Sequence, residues 1–123
     1  MIIGVQDVYY NVQDMARAVA FYRDVLGLTV IDEEAHFTGL DAVGVRIGLH
    51  WTGGTAVPPI PHDDHGPHCG GTITFRVADI AAAKAQLEAN GVNILGTSEN
   101  PWGNIVVFQD PDGNVLKLMQ LPG

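Results

Sequence analysis

The chain has 123 residues, 46% of them apolar, which suffices for the core of one small domain. Fourteen acidic against six basic residues give a formal net charge of −8, and no basic stripe exists to neutralise phosphates, which excludes nucleic acid as a partner. The single cysteine, Cys69, allows no intramolecular disulfide, and the sequence has neither a membrane-spanning apolar run nor a signal peptide; a cytoplasmic protein without a membrane partner is expected.

In chain order, a strand is expected over residues 3–12. Asp14 then stands where an N-cap belongs, its carboxylate able to accept from free backbone N–H groups. Met15, Ala18, Val19, Tyr22, Val25 and Leu26 recur at three and four, one face of a helix. Gly27 suits a left-handed C-terminal cap, and a strand begins over 28–31. A short strand near 36–38 and a long one over 43–51 follow, with the acidic run Asp32, Glu33 and Glu34 read as a solvated edge. Residues 58–69, rich in Pro, His and Asp, read as an irregular loop, with Gly53-Gly54 and Gly70-Gly71 as hinges for a lid.

The second half repeats the order. The segment Val12-Gln13-Asp14-Met15-Ala16-Arg17-Ala18-Val19-Ala20 recurs as Val77-Ala78-Asp79-Ile80-Ala81-Ala82-Ala83-Lys84-Ala85, with Val, Asp and three alanines in register. A strand is expected over 72–77, then a helix capped by Asp79 with Ile80, Ala83 and Leu87 on its face, ended by Gly91. A strand over 92–95 precedes a hairpin of 104–109 and 115–121 across Asp110-Pro111-Asp112-Gly113-Asn114. The reading is α+β: one domain, 1–123, of two βαβββ modules, 1–57 and 70–123, with the loop 58–69 between. Modules this small are marginal alone, so a shared core and a two-fold homodimer are expected.

Tyr10-x-Val12-x-Asp14-Met15-x-x-Ala18-Val19-x-Phe21-Tyr22-x-x-Val25-Leu26-Gly27-Leu28 resembles the opening of the vicinal oxygen chelate superfamily. Trp102-Gly103 followed by Phe108-x-Asp110-Pro111-Asp112-Gly113-Asn114 resembles its closing hairpin. That group includes glyoxalases, extradiol dioxygenases, fosfomycin-resistance enzymes and bleomycin-binding proteins. The resemblance implies paired βαβββ modules curled around a cup-shaped cavity.

Strand alternation sorts the residues independently. Val8, Tyr10 and Val12 oppose Asp7, Tyr9 and Asn11; Val45, Ile47, Leu49 and Trp51 oppose Arg46, Gly48 and His50. Ile73, Phe75 and Val77 oppose Thr72, Thr74 and Arg76; Leu116 and Leu118 oppose Val115, Lys117 and Met119. The polar faces are the expected cup lining; Tyr9, Trp102 and Met119 supply an apolar wall, and Tyr10, Phe75 and Phe108 belong to the core.

The resemblance implies four strand positions that hold a divalent ion in metal-using members, and motif matching sets them at Asp7, His50, Thr72 and Lys117. Asp7 and His50 are acceptable ligands, Thr72 is a poor one, and the Lys117 ammonium has no lone pair and repels a cation. No metal or other cofactor is therefore expected, with a divalent ion on Asp7 and His50 as the alternative. An ion pair of Asp7 with Lys117 is expected instead. His50 is the first candidate for chemistry, as a base or as a hydrogen-bonding lining residue; Lys117 is the second, as oxyanion stabiliser or nucleophilic amine. His62, His65 and His68, beside Asp63, Asp64 and Cys69, are a second, weaker metal candidate.

Three functions stay open on these residues. A binder would hold a small organic molecule at Asp7, Tyr9, His50, Thr72, Thr74, Trp102, Lys117 and Met119. An enzyme would use His50 and Asp7 on a metal, or His50 and Lys117 without one. A subunit with an empty cup is the third. The binder is the expectation carried forward.

Overall fold

Asp14 Oδ1 accepts from the Arg17 backbone N–H at 3.0 Å, and Asp79 Oδ1 accepts from Ala82 N–H at the same distance. The two capping aspartates thus open equivalent helices, as the repeat implies. A computed structural model describes all residues, Met1–Gly123, and divides them into two units, Met1–Pro58 and Pro59–Gly123.

The first unit runs β1 (Val8–Val12), α1 (Met15–Ala20), β2 (Thr29–Glu33), β3 (Phe37–Asp41) and β4 (Arg46–Trp51). Its sheet has the order β1-β4-β3-β2, with β1 parallel to β4 and the other pairs antiparallel. α1 packs on β4, and Val12, Val19, Tyr22, Leu40, Ile47 and Leu49 form the core. Each such side chain contributes roughly 1.5–3 kcal/mol by leaving water.

Several edges differ from the sequence reading. β1 begins at Val8, and residues 1–7 are irregular and mostly exposed. β4 begins at Arg46 because Val43 (φ 55°) and Gly44 (φ 96°) make a left-handed turn, closed by Ala42 N–H to Val45 O at 2.8 Å. The expected first helix is α-helical only to Ala20; Phe21–Val25 widens into a π-turn, with Leu26 N–H bonded to Phe21 O at 3.1 Å. The wider turn brings both Phe21 and Tyr22 into the core, where a uniform 3.6 period selects Tyr22 alone. Gly27, at φ 76°, ends it as expected. On the exposed side of that turn, Arg23 Nε donates to Asp24 Oδ1 at 2.8 Å; the bond holds the carboxyl below, and the guanidinium above, their ordinary pKa values.

The second unit begins with a surprise. The segment read as an irregular loop contains a small hairpin, β5 (His62–Asp63) with β6 (Gly66–Pro67). Asp63 holds it, Oδ1 accepting from His65 N–H and Oδ2 contacting His68 Nε2, both at 2.7 Å. Sequence reading missed it because Pro and Gly suggest only a break, whereas Asp63 supplies a turn-closing acceptor. β7 (Ile73–Arg76), α2 (Ile80–Ala89), β8 (Ile94–Ser98), β9 (Asn104–Gln109) and β10 (Val115–Gln120) follow, in the sheet order β7-β10-β9-β8. β8 starts two residues later than expected because Val92 N–H still closes the helix, on Leu87 O at 3.1 Å. α2 packs on β9 and β10, over a core of Leu87, Val106, Phe108, Val115, Leu116 and Leu118. Both units are therefore βαβββ. No helix is long and apolar enough to cross a membrane.

Candidate functional site

In the first unit, β1 and β4 pair Tyr9 with Gly48 and Asn11 with His50, and β3 sets Gly39 beside Gly48. The buried partners on the opposite face, Ile47 and Leu49, fix which way these residues point. Two adjacent glycines thus form a floor, and each is covered from one side. The Phe37 ring covers Gly48: a Cβ built there would come 2.8 Å from Phe37 Cε2 and 2.9 Å from Tyr9 Cβ. The Arg46 guanidinium covers Gly39 and pairs with Asp32, so Asp32 is not merely a solvated edge residue. Arg46 Nε is buried with no hydrogen-bond partner.

Beside the floor, Tyr9 meets Phe37 edge-on, with ring centroids 6.2 Å apart, and lies 5.6 Å from the His50 ring. His50 Nδ1 donates to Asn11 Oδ1 at 3.1 Å, which leaves Nε2 as the ring's free nitrogen. Tyr9 and His50 are exposed, and Asp7 sits half-buried just ahead of β1. Asn11 and Phe37 were not singled out by sequence reading. Alternation put Asn11 on this face, but the reach of Phe37 over Gly48 has no sequence signature.

In the second unit, β7 and β10 pair Thr74 with Lys117 and Arg76 with Met119, and β9 adds Val107 and Ile105 to the same face. Leu116 and Leu118 are buried behind it. Thr72 Oγ1 lies 2.9 Å from Cys69 Sγ, a contact in which either atom can donate. Trp102 stays 58% exposed, in the turn where Gly103, at φ 150°, lets the chain pass against Met119. The pairing of Asp7 with Lys117 would join the two units, and neither unit supplies it alone. Beside the Gly53-Gly54 pair, both at positive φ, Gln13 Nε2 donates to Gly54 O at 3.0 Å.

The family model "Glyoxalase/Bleomycin resistance protein/Dioxygenase superfamily" matches residues 4–118. The chain belongs to this superfamily. Solved structures agree in fold. A lactoylglutathione lyase from Agrobacterium tumefaciens is 22% identical, with 97% of this chain and 94% of that one covered, at a TM-score of 0.73. The fosfomycin resistance protein FosX from Listeria monocytogenes is 17% identical over 99% and 96%, at 0.78. A virulence protein from Salmonella typhimurium is 22% identical over 99% and 100%, at 0.71. Comparison with curated proteins gives no match.

The superfamily commonly uses a divalent metal ion, and the residues here can be tested against that need. The repeat matches Tyr9 with Thr74, so the strand registers match Gly48 with Lys117 and His50 with Met119. His50 and Lys117, two of the four positions set by motif matching, are therefore offset by two residues along their strands. Alternation cannot detect such an offset, because a shift of two keeps the face. Of the matched pair, Gly48 offers no donor and Lys117 repels a cation. Thr72 is engaged by Cys69, and no three His, Cys, Asp or Glu side chains converge, at the loop histidines or elsewhere. This donor set does not fit the superfamily's usual ion.

Proposed function

We propose that this superfamily member binds a small organic molecule on the polar faces of its sheets, without a divalent ion as anchor. The observation that carries the reading is the matched pair Gly48 and Lys117: one lies under the Phe37 ring with no side chain to offer, the other is a cation. What remains on the first face is the exposed rings of Tyr9 and His50, with Phe37 edge-on to Tyr9 over Gly48, and these suit an aromatic or planar ligand part. Thr74, Lys117 and Met119 are the contacts proposed from the second face, with Asp7, Thr72 and Trp102 at the margins.

The experiment is a small-molecule screen by amide NMR with chelator in excess. Saturable ligands that shift the amides of Tyr9, His50, Thr74 and Lys117 support the reading. Ligands that bind only after a divalent metal is added would overturn it.

A second reading is favoured by one contact. With Nδ1–H held by Asn11, the free Nε2 of neutral His50 is placed to take a proton, so His50 is proposed as the base if the bound molecule reacts. Turnover lost in His50→Gln with ligand affinity kept would establish it. We also propose a homodimer, supported by the position of β1 at the edge of its sheet and the exposed Ile3, Val5 and Val8. Light scattering that gives a monomer mass at micromolar concentration would refute the dimer.

A further inference from the structure

We infer that Lys117 and Arg76 form a binding site for the oxyanion end of a small organic acid, with Thr74 between them and an apolar bed of Val107, Ile105 and Met119. The inference rests on the proposed binder function and adds the chemical class of the ligand.

Charge distribution is the first argument. The chain has only six Lys and Arg against fourteen acids. Arg23, Arg46 and Lys84 pair with Asp24, Asp32 and Glu88 of their own unit or helix. Within the second unit, no acidic side chain engages Lys117 or Arg76, and the strands β7, β8, β9 and β10 contain no acidic residue at all. A protein of net charge −8 thus keeps one sheet face purely cationic. Two like charges set together without a counter-charge repel, and an anionic ligand removes that repulsion.

Register is the second. Thr74 stands opposite Lys117, and Arg76, two residues on, stands opposite Met119. Lys117 and Arg76 are therefore neighbours across the parallel pair, two residues out of register and roughly 8 Å apart at the backbone from strand spacing and rise, a gap that two long side chains can span to meet one anion. Arg supplies a planar fork, Lys a mobile point charge and Thr74 a hydroxyl donor: three donors of the kinds that oxyanions take. Val107 and Ile105, half-buried opposite Lys117 and Met119, leave apolar surface for the rest of the molecule.

Benzoate, its neutral isostere benzamide, and inorganic phosphate are the probes, titrated into the full chain by amide NMR. Benzoate and phosphate are expected to shift Thr74, Arg76 and Lys117 saturably. Benzamide should bind about tenfold more weakly than benzoate, and Lys117→Met and Arg76→Gln should each weaken benzoate by about tenfold. Lys117→Arg, which keeps the charge, should retain binding; unchanged spectra elsewhere show that each variant folds. Equal affinity for benzoate and benzamide would overturn the anion site while leaving the binder function standing. So would benzoate binding that neither Lys117→Met nor Arg76→Gln alters, or the absence of binding by both anions from a protein that still takes neutral ligands.

Discussion

The Phe37 ring lies over Gly48, in the volume that a side chain at position 48 would fill. A glycine is therefore required at 48 by its neighbours, although its φ is ordinary and no turn demands it. We predict that Gly48→Ala destabilises by about 1–3 kcal/mol, the usual cost of overpacking. Much of that cost should vanish in a Phe37→Ala background, while the approach of Tyr9 Cβ keeps the rest. A denaturant double-mutant cycle measures the coupling; additive effects would mean that the ring does not set the constraint.

His50 should be the Nδ1–H tautomer when neutral, because Asn11 Oδ1 can only accept. Long-range nitrogen–proton correlation reads the tautomer directly. Asn11→Leu removes the acceptor, and the ring should then shift toward the Nε2–H form. An unchanged tautomer would show that Asn11 does not orient the ring.

The closing turn tests a different part of the resemblance. Asp110 is buried, and its carboxylate accepts from Asp112 N–H, Asn114 N–H and the Asn114 amide, each at 2.9 Å. Asp110→Ala should cost about 3 kcal/mol, since it leaves buried donors unpaired. A loss below about 0.5 kcal/mol in chemical denaturation would contradict a structural role for this residue.

Asp63→Ala should open β5 and β6 while sparing the rest of the chain. Both carboxylate oxygens serve only this exposed hairpin. Hydrogen exchange at His65 and His68 should approach the unprotected rate, with the global unfolding midpoint unchanged. Loss of protection across β7 and β10 as well would show that the hairpin supports the second sheet.

Much of this fold is legible in the sequence because it rests on local physics. Asp14 and Asp79 announce helix starts, Gly27 and Gly91 announce their ends, and alternation around Ile47, Leu49, Leu116 and Leu118 sorts the sheet faces correctly. The motifs carried the superfamily as well. What was not legible is pairing across strands. Tyr9 opposite Gly48 and Thr74 opposite Lys117 are non-local facts, and they separate His50 from the position that matches Lys117. Arg76 was assigned to the right face, yet alternation gives no sign that it lacks an acidic partner. The scarcity of cations in so acidic a chain was the signal that could have singled it out.

On this reading the chain holds its ligand without the superfamily's divalent ion. The most direct test is the metal content of tag-free protein, measured before and after chelator, for wild type and His50→Ala. Far less than one equivalent is expected in both, with ligand binding by wild type unchanged after chelation. Near-stoichiometric metal that His50→Ala loses, together with ligand binding that chelator abolishes, would contradict that reading.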